Sequence, residues 1–196
     1  GTITNTIFKA NIKTSSSGSG SMVSFGTIAA INRGVISYCT VDSYIGQNNA
    51  VYNTTTKYTD MLIFNTAASI GGLVGNNYGT LSYCTNNASI GSTGSMGGII
   101  GINMEDSRAN RCNNYGKIFY EMATYSDTCI GGIAGTVRVR AALTYCNNYG
   151  IITFAVKSSS NQTAAPRIAN IVGQMSQTAT MTSCGCYGSV IIVQSV

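Results

Sequence analysis

Apolar residues in this chain do not return every three or four positions, as one face of a helix would require. They come instead in short runs rich in Ile, Val, Thr and Tyr, broken by Gly and Asn, which is the pattern of short strands. The runs repeat. Five segments align: Phe25-Gly-Thr-Ile-Ala-Ala30, Ile70-Gly-Gly-Leu-Val-Gly75, Met96-Gly-Gly-Ile-Ile-Gly101, Ile130-Gly-Gly-Ile-Ala-Gly135 and Ile168-Ala-Asn-Ile-Val-Gly173. A Cys follows each, nine or eleven residues after the last position, at Cys39, Cys84, Cys112, Cys146 and Cys184. Six residues beyond each Cys stands Ile45, Ile90, Ile118, Ile152 or Val190. The chain start carries a half copy, in which Thr6 takes the Cys place and Ile12 the apolar one.

Successive ladder cysteines are 45, 28, 34 and 38 residues apart. The stretch from Gly-rich hexad to Cys is nearly constant, so the slack lies in Lys13–Ser24, Gly46–Ser69, Phe119–Cys129 and Thr153–Arg167, which are rich in Ser, Thr, Asn and Gly. Insertions confined to one phase of a stacked repeat emerge at one corner, where repeat proteins gather binding loops. The shortest period suits one coil of about three short strands. The predicted fold is all-β: a single-stranded parallel β-helix, or β-solenoid, of about five and a half coils stacked ~4.8 Å apart. Residues 1–196 form one repeat domain, expected to be a fragment of a longer protein.

The position three before Cys is apolar in every copy (Ile3, Ile36, Leu81, Ala109, Leu143, Met181). Residues three apart on a flat strand face opposite sides, so placing both inside requires a corner between them, at Ser37-Tyr38, Ser82-Tyr83, Asn110-Arg111, Thr144-Tyr145 and Thr182-Ser183. A second corner is expected at Asn86, Asn114 and Asn148, where Asn tolerates left-handed backbone and can bond its stacked twin. Tyr115, Tyr149 and Tyr187 share the next position and predict an aromatic ladder. The paired glycines imply a tight backbone or a closely approaching neighbour strand. No Gly-Lys-Ser/Thr follows them, so they do not read as a phosphate loop.

Composition narrows the chemistry. The chain has no His, only six acids (Asp42, Asp60, Glu105, Asp106, Glu121 and Asp127), 23 Gly and 9% charged residues. Catalytic dyads and triads built on His are excluded. Seven cysteines without a Cys-x-x-Cys do not form a metal motif, and none is expected. The recurring five read as a structural ladder of small inward side chains, because Thr6 occupies the same slot in the half copy. In-register neighbours could also approach disulfide distance, which keeps bridging open as a second reading. Arg138-Val-Arg140, an i, i+2 pair on one strand face, and a net charge of +5 are too scattered for a nucleic-acid site. No apolar run reaches the ~18–20 residues of a membrane span.

The Gly-Gly-apolar-apolar-Gly core and its Asn and Cys follow-on, in Ile70–Cys84, Met96–Gly116 and Ile130–Gly150, resemble the GLUG-motif repeat family. That resemblance implies a bacterial surface or secreted protein with a structural or adhesive role, and brings no catalytic residue with it. The first and fifth copies depart from the motif at Thr27, Ala30, Ala169 and Asn170.

The function expected is a non-enzymatic extracellular or bacterial cell-surface solenoid, a stalk or adhesin segment presenting loops to a host glycan or extracellular protein. No cofactor is expected, and end-to-end self-association is. Tyr52, Tyr58, Tyr120 and Tyr125 lie in or beside the insertions among Asn, Thr and Ser, and are the candidate glycan contacts. The alternative is a polysaccharide-acting β-helix lyase or glycosidase. Its one adjacent carboxyl pair is Glu105-Asp106, which reads first as a solvated turn rather than as the two carboxyls a glycosidase needs.

Overall fold

The short runs fold as strands of two to six residues, each hydrogen-bonded in parallel to its counterpart in the next repeat. The computed structural model describes residues 1–9, 24–42, 62–64, 69–92, 94–121, 128–157 and 166–195. A central coil shows the plan: Met96–Gly97, Ile100–Asn103, Arg108–Asn110, Asn113–Asn114 and Ile118–Glu121. These belong in turn to five stacked parallel sheets, I to V, of five or six strands each among the described residues. The protein is a parallel β-helix. The described residues contain no helix, hence none long and apolar enough to cross a membrane.

Each coil has five strands where about three are predicted from the period. The extra divisions come from the corners. The residue before each ladder cysteine, and before Thr6 in the same place of the half copy, is left-handed, with φ of 53–54° at Asn5, Tyr38, Tyr83, Arg111, Tyr145 and Ser183. That conformation costs a side-chain-bearing residue roughly 1–2 kcal/mol. The neighbouring coil holds it in place: Tyr38 N–H donates to Ser82 O (3.0 Å), Tyr83 to Asn110 O (2.9 Å), Arg111 to Thr144 O (2.9 Å) and Tyr145 to Thr182 O (3.0 Å). The bend turns both the third residue before Cys and the Cys itself inward, as the pattern requires. Ile36, Leu81, Ala109 and Leu143 are buried in register, joined by Ile70, Met96 and Ile130 of sheet I and Ile90, Ile118 and Ile152 of sheet V.

The glycines do a different job. None of the described glycines has positive φ, so they are selected for space. A Cβ on Gly72 would sit 2.6 Å from Asn86 Cγ, and Cβ atoms on Gly98 and Gly132 would press on Asn114 and Asn148 in the same way.

Those asparagines are not at a left-handed corner, as the sequence predicts, but within sheet IV, fully buried. Asn86 Nδ2 donates to Asn114 Oδ1 (2.9 Å), Asn114 to Asn148 Oδ1 (2.8 Å), and Asn148 to Asn170 Oδ1 (3.0 Å). Each amide also closes the turn beside it, as in Asn148 Nδ2 to Gly150 O (3.0 Å) and Gly150 N–H to Asn148 Oδ1 (3.1 Å). A second ladder runs along sheet II, from Asn32 to Asn77 and on to Asn103, with both steps at 2.8 Å. It is unforeseen in the sequence reading, although Asn32-x-Gly34 and Asn77-x-Gly79 repeat the Asn-x-Gly spacing of Asn114 and Asn148.

Two further expectations are displaced. The residue in register with Ile90 is Leu62, not Ile45; Ile45 and Ile12 lie outside the described residues, as do most of the insertions. Arg138 and Arg140 stand in a turn after the strand Ala134–Val137, so they are not an i, i+2 pair on one strand face.

Replacing Asn114 with Ala strands amide and carbonyl partners on both sides in a dry column, and is expected to cost about 2–3 kcal/mol. Gly98→Ala, whose Cβ meets the Gly132 carbonyl and Asn114, is expected to cost about 1–3 kcal/mol. Ala at the exposed Asn87 should stay within about 0.5 kcal/mol. Urea midpoints measure all three; an Asn114 variant no less stable than the Asn87 variant would remove the ladder's importance.

Candidate functional site

Corners after sheet III bring the ladder cysteines into one column. Cys39, Cys84, Cys112 and Cys146 are buried, Cys184 is half-buried in the last coil, and all seven cysteines are free thiols. Each Sγ of the column donates to the carbonyl two residues earlier: Cys39 to Ser37 O and Cys84 to Ser82 O at 3.2 Å, and Cys112 to Asn110 O, Cys146 to Thr144 O and Cys184 to Thr182 O at 3.5 Å. These bonds use the thiol proton. The Cys112 thiol is pushed well up, first by its neighbours Cys146 and Cys84 and then by burial, and the Cys39 thiol is raised chiefly by burial. The Cys84 thiol is lowered to about 7 and the Cys146 thiol well below its usual value, each first by hydrogen bonding with Cys112; burial, not a uniformly raised thiol, keeps the column from solvent. No group of three or more His, Cys, Asp or Glu among the described residues could hold a metal ion.

Of the four tyrosines singled out as glycan contacts, Tyr52, Tyr58 and Tyr125 lie outside the described residues. Tyr120 is only 1% exposed, and its ring stacks on Phe154 with centroids 5.6 Å apart. Its hydroxyl accepts a hydrogen bond from Thr128 Oγ1 at 2.9 Å. Its place two after the inward Ile118 puts it on the core face of sheet V, so it offers no surface to a ligand.

The exposed aromatic surface lies elsewhere. Tyr115, Tyr149 and Tyr187 form the predicted ladder, with centroids 4.6 and 4.8 Å apart and planes within 9° of parallel. Mutual cover raises the Tyr149 phenol, through lost hydration and then its two ladder neighbours. A second column, at the left-handed corner, runs Tyr38, Tyr83, Arg111, Tyr145. Tyr38 and Tyr83 stack at 4.8 Å, and the Arg111 guanidinium inserts between the next two rings, 5.4 Å from the Tyr83 centroid and 5.2 Å from that of Tyr145. Arg111 Nη1 donates to Tyr83 Oη at 2.9 Å.

Beside this column the outward residues of sheet IV, Thr85, Asn113 and Asn147, form the floor of an open groove of about 380 Å³ whose wall is Tyr83, Arg111 and Tyr145. The floor is ordered by its own bonds, Asn147 Nδ2 to Asn113 Oδ1 (3.0 Å) and Gly185 N–H to Asn147 Oδ1 (2.9 Å). Tyr83, Arg111 and Tyr145 were visible in sequence as corner positions, whereas Thr85, Asn113 and Asn147 were not singled out. What the sequence did not show is that αL backbone at six successive corners aims the side chains there along one outer edge.

No family model matches the chain, and no match is found among curated proteins or solved structures. The GLUG likeness therefore rests on the three quoted segments alone.

The carboxyl pair of the enzyme alternative stands far from being an acid–base couple. Asp106 is bound by Arg140 through both oxygens, at 2.7 and 2.8 Å, on an exposed turn. The hydrogen bond from Arg140 holds its carboxyl below the usual range, the opposite of what a general acid needs.

Iodoacetamide on the folded chain is expected to alkylate the exposed Cys186 and leave Cys84, Cys112 and Cys146 unmodified until denaturant is added. Peptide mapping by mass spectrometry reads this directly, and early labelling of Cys112 would refute the buried column.

Proposed function

We propose that this chain is a non-enzymatic β-solenoid of an extracellular or bacterial cell-surface protein, a GLUG-like stalk or adhesin segment that binds a host glycan or extracellular protein on its outer surface. The observation that carries the reading is the groove of Tyr83, Thr85, Arg111, Asn113, Tyr145 and Asn147. Hydroxyl, amide and guanidinium groups sit there on a scaffold whose backbone is tied coil to coil, so binding them costs little ordering entropy.

Because ladder rings cover each other's faces, the tyrosines offer hydroxyls and ring edges more than stacking platforms. Sugar hydroxyls are therefore met by hydrogen bonds from the groove rather than by face-on stacking. Exposed apolar side chains on the outermost described coils support end-to-end association between copies. Ile191 and Ile192 are 44% and 70% exposed at one end and Ile7 is 65% exposed at the other, on strand edges open to pairing.

A glycan and matrix-protein array probed with this chain is expected to give hits confined to a few related structures. A blank array, repeated at high protein concentration, would leave only the passive stalk.

A further inference from the structure

We infer that the groove binds the anionic group of an acidic glycan, with Arg111 as the side chain that reads its charge. This rests on the glycan reading above and adds the substrate class.

Arg111 interrupts the tyrosines Tyr38, Tyr83 and Tyr145 at a position that is Asn5 and Ser183 in the outermost coils. Sandwiching between two rings strips water from both faces of the guanidinium and fixes its plane, leaving the N–H edge as its means of contact. One donor is used on Tyr83 Oη. No carboxylate lies within salt-bridge distance of Arg111 among the described residues, where the ion pair present is Arg140 with Asp106. An exposed planar fork held in this way is the group that recognises carboxylate or sulfate.

The floor supplies complementary donors and acceptors. Asn113 Oδ1 is engaged by Asn147, while Asn113 Nδ2 and the hydroxyls of Thr85 and Tyr145 have no hydrogen-bond partner among the described residues. The groove has amide, hydroxyl and phenol groups but no aliphatic pocket for a peptide side chain. A polyhydroxylated chain bearing periodic anions satisfies both features; an acidic peptide satisfies only the charge.

The test uses this chain, and Arg111→Tyr is the decisive variant. Tyrosine occupies the same left-handed position in three other coils, so the variant completes the ladder and removes the charge without disturbing the fold. Its urea midpoint and circular dichroism confirm that. Titration calorimetry compares a hexuronate oligomer, a sulfated oligomer and a neutral hexose oligomer of equal length. At least about tenfold tighter binding of one or both acidic oligomers is expected, and Arg111→Tyr is expected to weaken acidic binding by at least about tenfold more than it changes neutral binding. The two acidic arms tell carboxylate from sulfate.

Equal binding of neutral and acidic oligomers, unaffected by Arg111→Tyr, would overturn this inference and leave the glycan reading standing. No binding of any oligomer would overturn both. Preferential capture of an Asp/Glu-rich peptide, lost in the variant, would replace the glycan by an acidic protein segment.

Discussion

Parallel, in-register hydrogen bonding between coils governs everything else in this structure. Once Leu81 is paired with Ala109 and Ala109 with Leu143, each side chain has as its nearest neighbours the residues of the same phase, about one strand spacing away. A residue is then acceptable only if it can stack on its own kind. Ile and Cys do so by packing, Tyr by ring overlap, and Asn by passing its amide proton to the next carbonyl. Like charges stacked at every rung would repel, which accounts for a chain with 9% charged residues, among whose described cations Arg33 and Arg111 lie over tyrosine rings and Arg140 beside a carboxylate.

The asparagine ladder shows how this constraint couples distant positions. Gly72, Gly98 and Gly132 stand against Asn86, Asn114 and Asn148. In the two copies where the second glycine is missing, the asparagine is missing as well: Thr27 goes with Val41, and Asn170 with Cys186. In the last coil the exchange is a direct replacement. Asn170 accepts from Asn148 and donates to Gly188 O at 2.9 Å, restoring the ladder from the opposite side of the corner. The first coil is less complete, since Thr27 Oγ1 is buried without a hydrogen-bond partner. The departures from the motif therefore follow the presence of the buried amide.

Surface chemistry arises where the stacking rule is broken on purpose by a different side chain. A guanidinium in a tyrosine column keeps the stack intact, because its plane has the shape of a ring, yet it introduces a charge and a row of N–H donors. The same logic separates two exposed arginines, Arg140 and Arg111. Asp106 and Arg140 occupy equivalent turns in adjacent coils, both left-handed, with φ of 60° and 56°, so they neutralise each other. Arg111 has tyrosines above and below it and so remains available.

The repeat, the β-solenoid class, the inward cysteines and the Tyr115–Tyr149–Tyr187 ladder were legible in the sequence, because each depends on periodicity alone: residues at equal phase must stack whatever the details of the coil. The number of strands per coil, the reason for the glycines and the face of Tyr120 were not. Those depend on how many degrees the chain turns at each corner, and left-handed backbone at Tyr83 or Arg111 is stabilised by a carbonyl one coil away that no local pattern reveals. Asn114 and Gly98 lie sixteen residues apart in the chain, and only the folded coil presses one against the other. The groove has the same origin. Tyr83, Arg111 and Tyr145 were legible as corner positions, Thr85, Asn113 and Asn147 were not, and closure of the coil made the six a surface.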